Sequence, residues 1–105
     1  MFTKYDEYDL LELFLSEPKS LTGSEEDGEV LYSIENDNGF KLSLFIYTYR
    51  LQCDVFLNYK DETILDTSLN NVTEIKRSDN ELILYVGERK KVIIEFKSPI
   101  YINIL

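Results

Sequence analysis

The apolar residues change their spacing once along the chain, from a helical period to a strand period. Near the N-terminus they recur every three or four positions, at Tyr8, Leu10, Leu11, Phe14 and Leu15. This is the spacing of an amphipathic helix, and Pro18 ends it because proline cannot continue the helical hydrogen bonds. The pattern predicts a largely buried helix over residues 5–16.

The polar positions of this helix form one narrow stripe. At about 100° per residue, Asp9, Glu12 and Ser16 fall on the same side, opposite the apolar majority. Residues 17–29, here called the acidic loop, follow with two glycines, one proline, five acids and only one large apolar side chain. This composition predicts a loop of low local stability.

After the acidic loop the apolar period becomes two, which indicates half-buried strands. The turn dipeptide Asn38-Gly39 predicts a tight hairpin with positive φ angles, and a charged turn is expected near Gly87. The pattern predicts strands over 29–35, 40–47, 51–59, 63–65, 72–76, 81–86, 91–96 and 100–105, the last at a sheet edge.

These elements predict a single α+β domain over residues 1–105, with sheet from residue 29 to 105. A chain of 105 residues is long enough for one core and too short for two. Strand follows strand with no helical crossover, so the sheet should be largely antiparallel. We expect a meander-like sheet of about seven strands, packed by one face on the N-terminal helix.

The net charge of −9 is concentrated at one end of the chain. Residues 1–39 contain eleven acidic and two basic residues, a net charge of −9, whereas residues 40–105 contain nine of each. Phosphates would be repelled, which argues against direct binding of nucleic acid or of an anionic membrane. Clustered charge of one sign instead favours a protein partner with a basic surface.

The inventory of chemically active side chains predicts that the protein is not an enzyme. The sequence has no histidine and a single cysteine, Cys53, which alternates inward with Leu51 and Val55 and should pack in the core. The acids at 25–29 lack the ordered spacing of a calcium loop. We therefore expect no catalytic residues, no metal and no cofactor.

The lone cysteine also fits a reducing cytoplasm. The acidic N-terminus resembles no signal peptide, and no apolar run approaches the roughly 20 residues of a membrane helix. We expect a cytoplasmic protein without a membrane partner.

Two groups of residues are candidates for binding a partner. The acids of the helix stripe and of the acidic loop should steer docking, and two of the eight tyrosines should anchor it, because tyrosine combines a large rigid area with one polar tip. With Phe45 and Phe56, these two tyrosines suggest a second apolar face, covered either by another layer or by a partner. The candidates are Asp9, Glu12, Glu17, Glu25, Glu26, Asp27, Glu29, Tyr47 and Tyr49.

One further pattern extends over roughly residues 8–60. It consists of the helix with Leu13-Phe14, Glu17-Pro18, the acidic loop, Gly28 to Tyr32, Gly39 with Leu42 and Leu44, and Val55 with Leu57. This order resembles small immunity proteins of bacterial polymorphic toxin and contact-dependent inhibition systems. The resemblance implies a cytoplasmic inhibitor that binds one toxin domain, often a nuclease, and blocks its active site.

Three hypotheses for function therefore stand together. The first is an acidic protein that neutralises a cognate toxin and is a monomer in isolation. The second is a structural or assembly subunit, for example one encoded by a phage, that pairs with copies of itself through a sheet face or edge. The third is an acidic mimic of nucleic acid, which should carry regularly spaced carboxylates along an extended face.

Overall fold

A computed structural model of the protein describes residues 1–97 and 99–105. In these residues one α-helix precedes nine strands, and two short 3-10 helices interrupt the connections. The elements are α1 (Glu7–Phe14), β1 (Lys19–Ser20), β2 (Glu29–Glu35), β3 (Phe40–Tyr47), β4 (Gln52–Tyr59), β5 (Glu62–Asn70), β6 (Glu74–Ser78), β7 (Glu81–Val86), β8 (Arg89–Glu95) and β9 (Tyr101–Ile104), with the 3-10 helices Glu25–Asp27 and Thr48–Arg50.

Helix α1 is shorter than the predicted 5–16 because local contacts fix both ends. The Asp6 carboxylate accepts hydrogen bonds from the backbone N–H groups of Tyr8, at 2.8 Å, and Asp9, at 3.4 Å, and so caps the N-terminus. Leu15 adopts φ 58°, and its N–H donates to the Leu11 carbonyl at 2.8 Å, which closes the C-terminus.

The segment before α1 is extended and lies beside β6. Lys4 forms a parallel bridge with Glu74: its N–H donates to the Thr73 carbonyl at 3.0 Å, and its carbonyl accepts from Ile75 at 2.8 Å. Tyr5 is therefore held outside the helix. This pairing also covers part of one edge of the second sheet.

The strands form two antiparallel sheets, each in sequence order. The first contains β1 to β5 and the second β6 to β9. The predicted α+β fold, with an N-terminal helix and a largely antiparallel meander, is confirmed, and β9 lies at an edge as expected. The structure adds that the meander divides between β5 and β6.

Most predicted strands agree with the structure, and β5 differs most. Its predicted extent of three residues becomes nine, paired with β4 from Glu62 to Asn70. The second half of β5 alternates polar with small or single apolar side chains, so its sequence carries little hydrophobic pattern. Its length comes from the backbone hydrogen bonds that β4 offers.

The β2–β3 hairpin also differs in detail from the predicted tight Asn-Gly turn. Gly39 has φ 90°, and Asn38 does not share its positive φ. The Asn36 side-chain oxygen accepts from the N–H groups of Asn38, at 3.0 Å, and Phe40, at 3.1 Å, which organises a longer loop.

The core lies between the two sheets and beneath α1. Phe14 is 1% exposed and contacts Tyr32 and Phe96, with ring centroids 5.5 Å and 5.0 Å away. Alternate residues of β2, β3 and β4 enter this core from one side, and those of β7 and β8 from the other. Helix α1 is thereby tied to β2, and this contact positions the surface described next.

None of the helices in the described residues is long and apolar enough to span a membrane.

Candidate partner-binding surface

The acidic loop contains defined local structure. Its strand β1 pairs with the start of β2, and the Ser20 hydroxyl accepts hydrogen bonds from the N–H groups of Thr22, at 3.3 Å, and Gly23, at 3.0 Å. The 3-10 helix Glu25–Asp27, here called the acidic turn, then presents three exposed acids and ends at Gly28, where φ is 68°.

Gly28 joins the acidic loop to the connection between β3 and β4. Its carbonyl accepts from the N–H of Thr48 at 2.9 Å. A Cβ at this position would lie 2.9 Å from both the Thr48 Cβ and the Tyr49 ring. Backbone approach this close requires glycine. As a result, the predicted residue Tyr49, which is 64% exposed, lies beside the acidic loop.

The two predicted tyrosines have different settings. Tyr47 is the last residue of β3, on its outer face, whereas Tyr49 lies in the 3-10 helix Thr48–Arg50 and not on the strand. The Arg50 guanidinium carbon is 4.3 Å from the Tyr47 ring centroid and its Nη2 is 3.3 Å from the Glu29 carboxylate. Burial raises the pKa of Tyr47, and Asp54 raises it further.

Phe45 and Phe56, predicted to share a second apolar face, meet on the outer side of the first sheet. Both are half-buried, and their rings are in edge-to-face contact with centroids 5.5 Å apart. The inward-facing Cys53 is fully buried in the core, as predicted. Burial raises the pKa of its thiol to about 12, with a further contribution from Asp54.

The acidic stripe of α1 is partly neutralised within the fold. Arg77 of β6 reaches both predicted residues, with its Nη1 3.8 Å from the Asp9 carboxylate and 3.5 Å from the Glu12 carboxylate. Arg77 is only partly exposed. Because it belongs to β6, these ion pairs also link α1 to the second sheet. The stripe therefore contributes less free negative charge than its sequence suggests.

Other acids converge on a pocket of about 300 Å³ between α1 and the acidic loop, here called the acidic pocket. The start of α1, the segment after it, the acidic turn and β2 each contribute to its wall. No lysine or arginine is among the nine described residues that line it, which are Tyr5, Glu7, Tyr8, Leu11, Glu17, Pro18, Glu25, Val30 and Tyr32.

Tyr32 places a largely buried tyrosine side chain at the wall of the acidic pocket. Its side chain is 1% exposed and is packed against Phe14, yet its hydroxyl makes no hydrogen bond within the described part of the chain. Burial raises the pKa of Tyr32, and the neighbouring Tyr5, Glu7 and Glu25 raise it further. The hydroxyl therefore stays protonated, because burial and the negative charges of two pocket carboxylates disfavour the phenolate.

The fold thus brings together only part of the predicted set. Glu17 and Glu25 line the acidic pocket, Glu29 is the last residue of the acidic loop, and Tyr49 lies beside that loop. Glu26 and Asp27 are exposed in the acidic turn, whereas Asp9 and Glu12 are directed to Arg77.

Of the polar side chains that line the acidic pocket, sequence reasoning missed four: Tyr5, Glu7, Tyr8 and Tyr32. One signal was present, because Asp6 is a favourable N-cap residue and would have moved the helix start to Glu7. That shift places Tyr5, Glu7 and Tyr8 around the exposed end of the helix. The inward position of Tyr32 follows from its alternation with Val30, but its pocket depends on the position of α1.

Among residues 1–97 and 99–105, no group of three or more cysteine or acidic side chains is arranged to hold a metal ion.

The chain is thus an α+β protein of two antiparallel sheets with an acidic, tyrosine-lined surface at its N-terminal end. No protein-family model matches the sequence, and no curated protein matches it either. Its fold is similar to that of a chain in the contact-dependent growth inhibition toxin–immunity protein complex from Klebsiella pneumoniae 342. The TM-score is 0.79 at 21% sequence identity, over 98% of this chain and 96% of the other. The resemblance expected from the sequence is confirmed at the level of the fold.

Proposed function

We propose that this chain neutralises a cognate toxin by binding to it, as an immunity protein without enzymatic activity of its own. The observation that carries the proposal is the fold shared, over nearly its whole length, with a chain of a toxin–immunity protein complex. The sequence-level resemblance over residues 8–60 supports the same function. The charge of −9 and the absence of histidine favour the inhibitor over the toxin as the role of this chain.

The partner surface is proposed to be basic and to belong to a nuclease. A nuclease active site holds phosphate with cationic groups, and an acidic inhibitor competes for these groups. The acidic pocket, the adjoining acidic turn and Tyr49 provide charge and aromatic area on one side of the molecule. Docking there would cover the toxin's active site.

Co-expression tests this function directly. The C-terminal domain of a toxin candidate from an adjacent open reading frame is produced in a bacterial host with or without the chain, and growth and complex formation are measured. We expect restored growth and a complex that survives purification at low salt. A Leu44→Asp variant, which places a charge in the core, should protect no cell. Continued toxicity and no complex with the wild-type chain at low salt would remove the proposal.

Self-association remains a second candidate, because β5 offers a free sheet edge. This nine-residue strand is the last of its sheet, and Ile64 on it is 54% exposed. Long exposed edges are templates for pairing with another chain. Sedimentation separates the two functions, since an inhibitor that binds through its N-terminal surface should be a monomer.

A further inference from the structure

The acidic pocket has the charge and shape to receive one cationic side chain. Three elements each supply a carboxylate to its wall, Glu7 at the start of α1, Glu17 after the helix and Glu25 in the acidic turn. The fold provides no cation for them: in the described part of the chain none of the three forms an ion pair. Their negative potential adds up over the same cavity.

Three other acids of this end differ in that respect. Asp9 and Glu12 are paired with Arg77, and Glu29 is paired with Arg50. A larger groove of about 660 Å³ runs between the helix start and β6, but lysines and Arg77 line it together with acids, so its charge is mixed. The acidic pocket, by contrast, is lined by three carboxylates that have no ion-pair partner among the described residues and by no lysine or arginine.

Tyr32 independently indicates that a ligand belongs in this cavity. Its side chain is 1% exposed and lines the cavity, and its hydroxyl, which still reaches the space of the cavity, has no hydrogen-bond partner in the described residues and is free to bind a ligand there. A phenol can accept a hydrogen bond and donate another. A bound cation with N–H groups would donate a hydrogen bond to the phenol oxygen. The phenol would then donate its own proton to a carboxylate of the wall.

We propose that the acidic pocket binds an arginine side chain of the partner, with its guanidinium between Glu7, Glu17 and Glu25 and a hydrogen bond to the Tyr32 hydroxyl. This inference rests on the proposed function for the origin of the arginine. A planar guanidinium has five N–H donors, pairs with carboxylates through two bonds at once and stacks on aromatic rings. Tyr5 and Tyr8 line the same cavity and provide the aromatic walls.

The pocket can be tested without any toxin. N-acetyl-arginine methylamide is titrated into the isotope-labelled protein at low salt, and amide chemical shifts are recorded. We expect saturable shifts confined to residues 5–8, 17, 25 and 32. N-acetyl-citrulline methylamide, which has nearly the same shape without the charge, should cause none. Equal shifts with both compounds, or shifts elsewhere on the surface, would overturn the proposal.

The second test uses the toxin domain and variants of equal charge. Glu7→Gln, Glu17→Gln and Glu25→Gln together should weaken binding by about 100-fold, because all the carboxylates facing the guanidinium are lost. The matched triple variant Glu62→Gln, Asp66→Asn and Glu88→Gln changes exposed acids outside the pocket by the same charge. It should weaken binding by less than about 3-fold at the same ionic strength.

Tyr32→Phe keeps the ring in the core and removes only the hydroxyl. We expect this variant to fold normally, by circular dichroism, and to bind the toxin about 10-fold more weakly. Equal affinities for the two triple variants would overturn the arginine pocket while leaving toxin binding intact. If the wild-type chain bound no toxin, the proposed function would fail. The arginine titration would still show whether the acidic pocket binds a guanidinium.

Discussion

Single residues at the N-terminal end determine where the acidic loop lies. Gly28 is the clearest example, because its φ of 68° and its contact with Thr48 and Tyr49 both exclude a side chain. Gly23, in the same loop, has φ 90° but open space around it. Substitution at Gly23 therefore measures the cost of a left-handed backbone alone. Substitution at Gly28 adds the cost of close packing.

Gly28→Ala should lower the free energy of unfolding by about 3 kcal/mol, since a positive φ and an overpacked contact act together. Gly23→Ala should cost about 1 kcal/mol from the backbone alone. Urea denaturation of both variants measures the difference. Similar losses for the two would show that Gly28 is not packed against Thr48 and Tyr49 as described.

Cys53 should make the free energy of unfolding depend on pH. Its thiol has a pKa of about 12 in the folded state against an ordinary value of 9.0, because burial penalises the thiolate. Between these values the unfolded chain releases a proton that the folded chain keeps, so stability is lost as the pH rises from 9 towards 12.

In Cys53→Ala this contribution is absent. The free energy of unfolding should then fall less steeply above pH 9, by up to about 1.4 kcal/mol per pH unit. The slope, measured by denaturation at several pH values, is separate from any constant loss caused by the smaller side chain. An unchanged slope would mean that the thiol is not buried.

At the level of elements, α1 is defined by its cap and by its contacts with two sheets. The apolar spacing of α1 could be recognised in the sequence, but its limits could not, because they depend on Asp6 and on the left-handed Leu15. Propensity and period reveal that a helix exists, whereas its ends depend on individual hydrogen bonds. For β5, the sequence pattern was weak and pairing with β4 supplied the remaining length.

Asp6→Ala removes the cap of α1 and should cost about 1 kcal/mol of stability, measured by thermal or urea unfolding. Asp6→Asn retains an oxygen that can accept the same hydrogen bonds, and should stay within a few tenths of the wild type. Equal losses in both variants would attribute the effect to charge at the helix terminus instead of capping.

At the scale of the whole molecule, the charge asymmetry was readable from the sequence and its arrangement was not. Composition placed eleven of the twenty acids in the first 39 residues. Only the fold shows that Asp9 and Glu12 meet Arg77, while Glu7, Glu17 and Glu25 line one cavity. These groups are distant in sequence, and no local pattern reports contacts between a helix, a loop and a later strand.

The oligomeric state of the whole molecule distinguishes the inhibitor from the assembly subunit. The protein should sediment as a monomer of 12.4 kDa over a range of concentrations, because the proposed docking surface is acidic and repels its own copy. An obligate oligomer that buries Tyr47 and Tyr49 would favour the assembly function. Ile64→Lys on the β5 edge should leave a monomeric protein unchanged.

Hydrogen exchange of the chain, free and bound to the toxin domain that it neutralises in co-expression, tests the central claim most directly. Binding should slow exchange at the start of α1, in the acidic loop and around Tyr49. The outer face of the second sheet, with Ile83 and Ile93, should exchange at the same rate in both states. Protection confined to that sheet, with none at the N-terminal acidic surface, would contradict docking of the toxin on that surface.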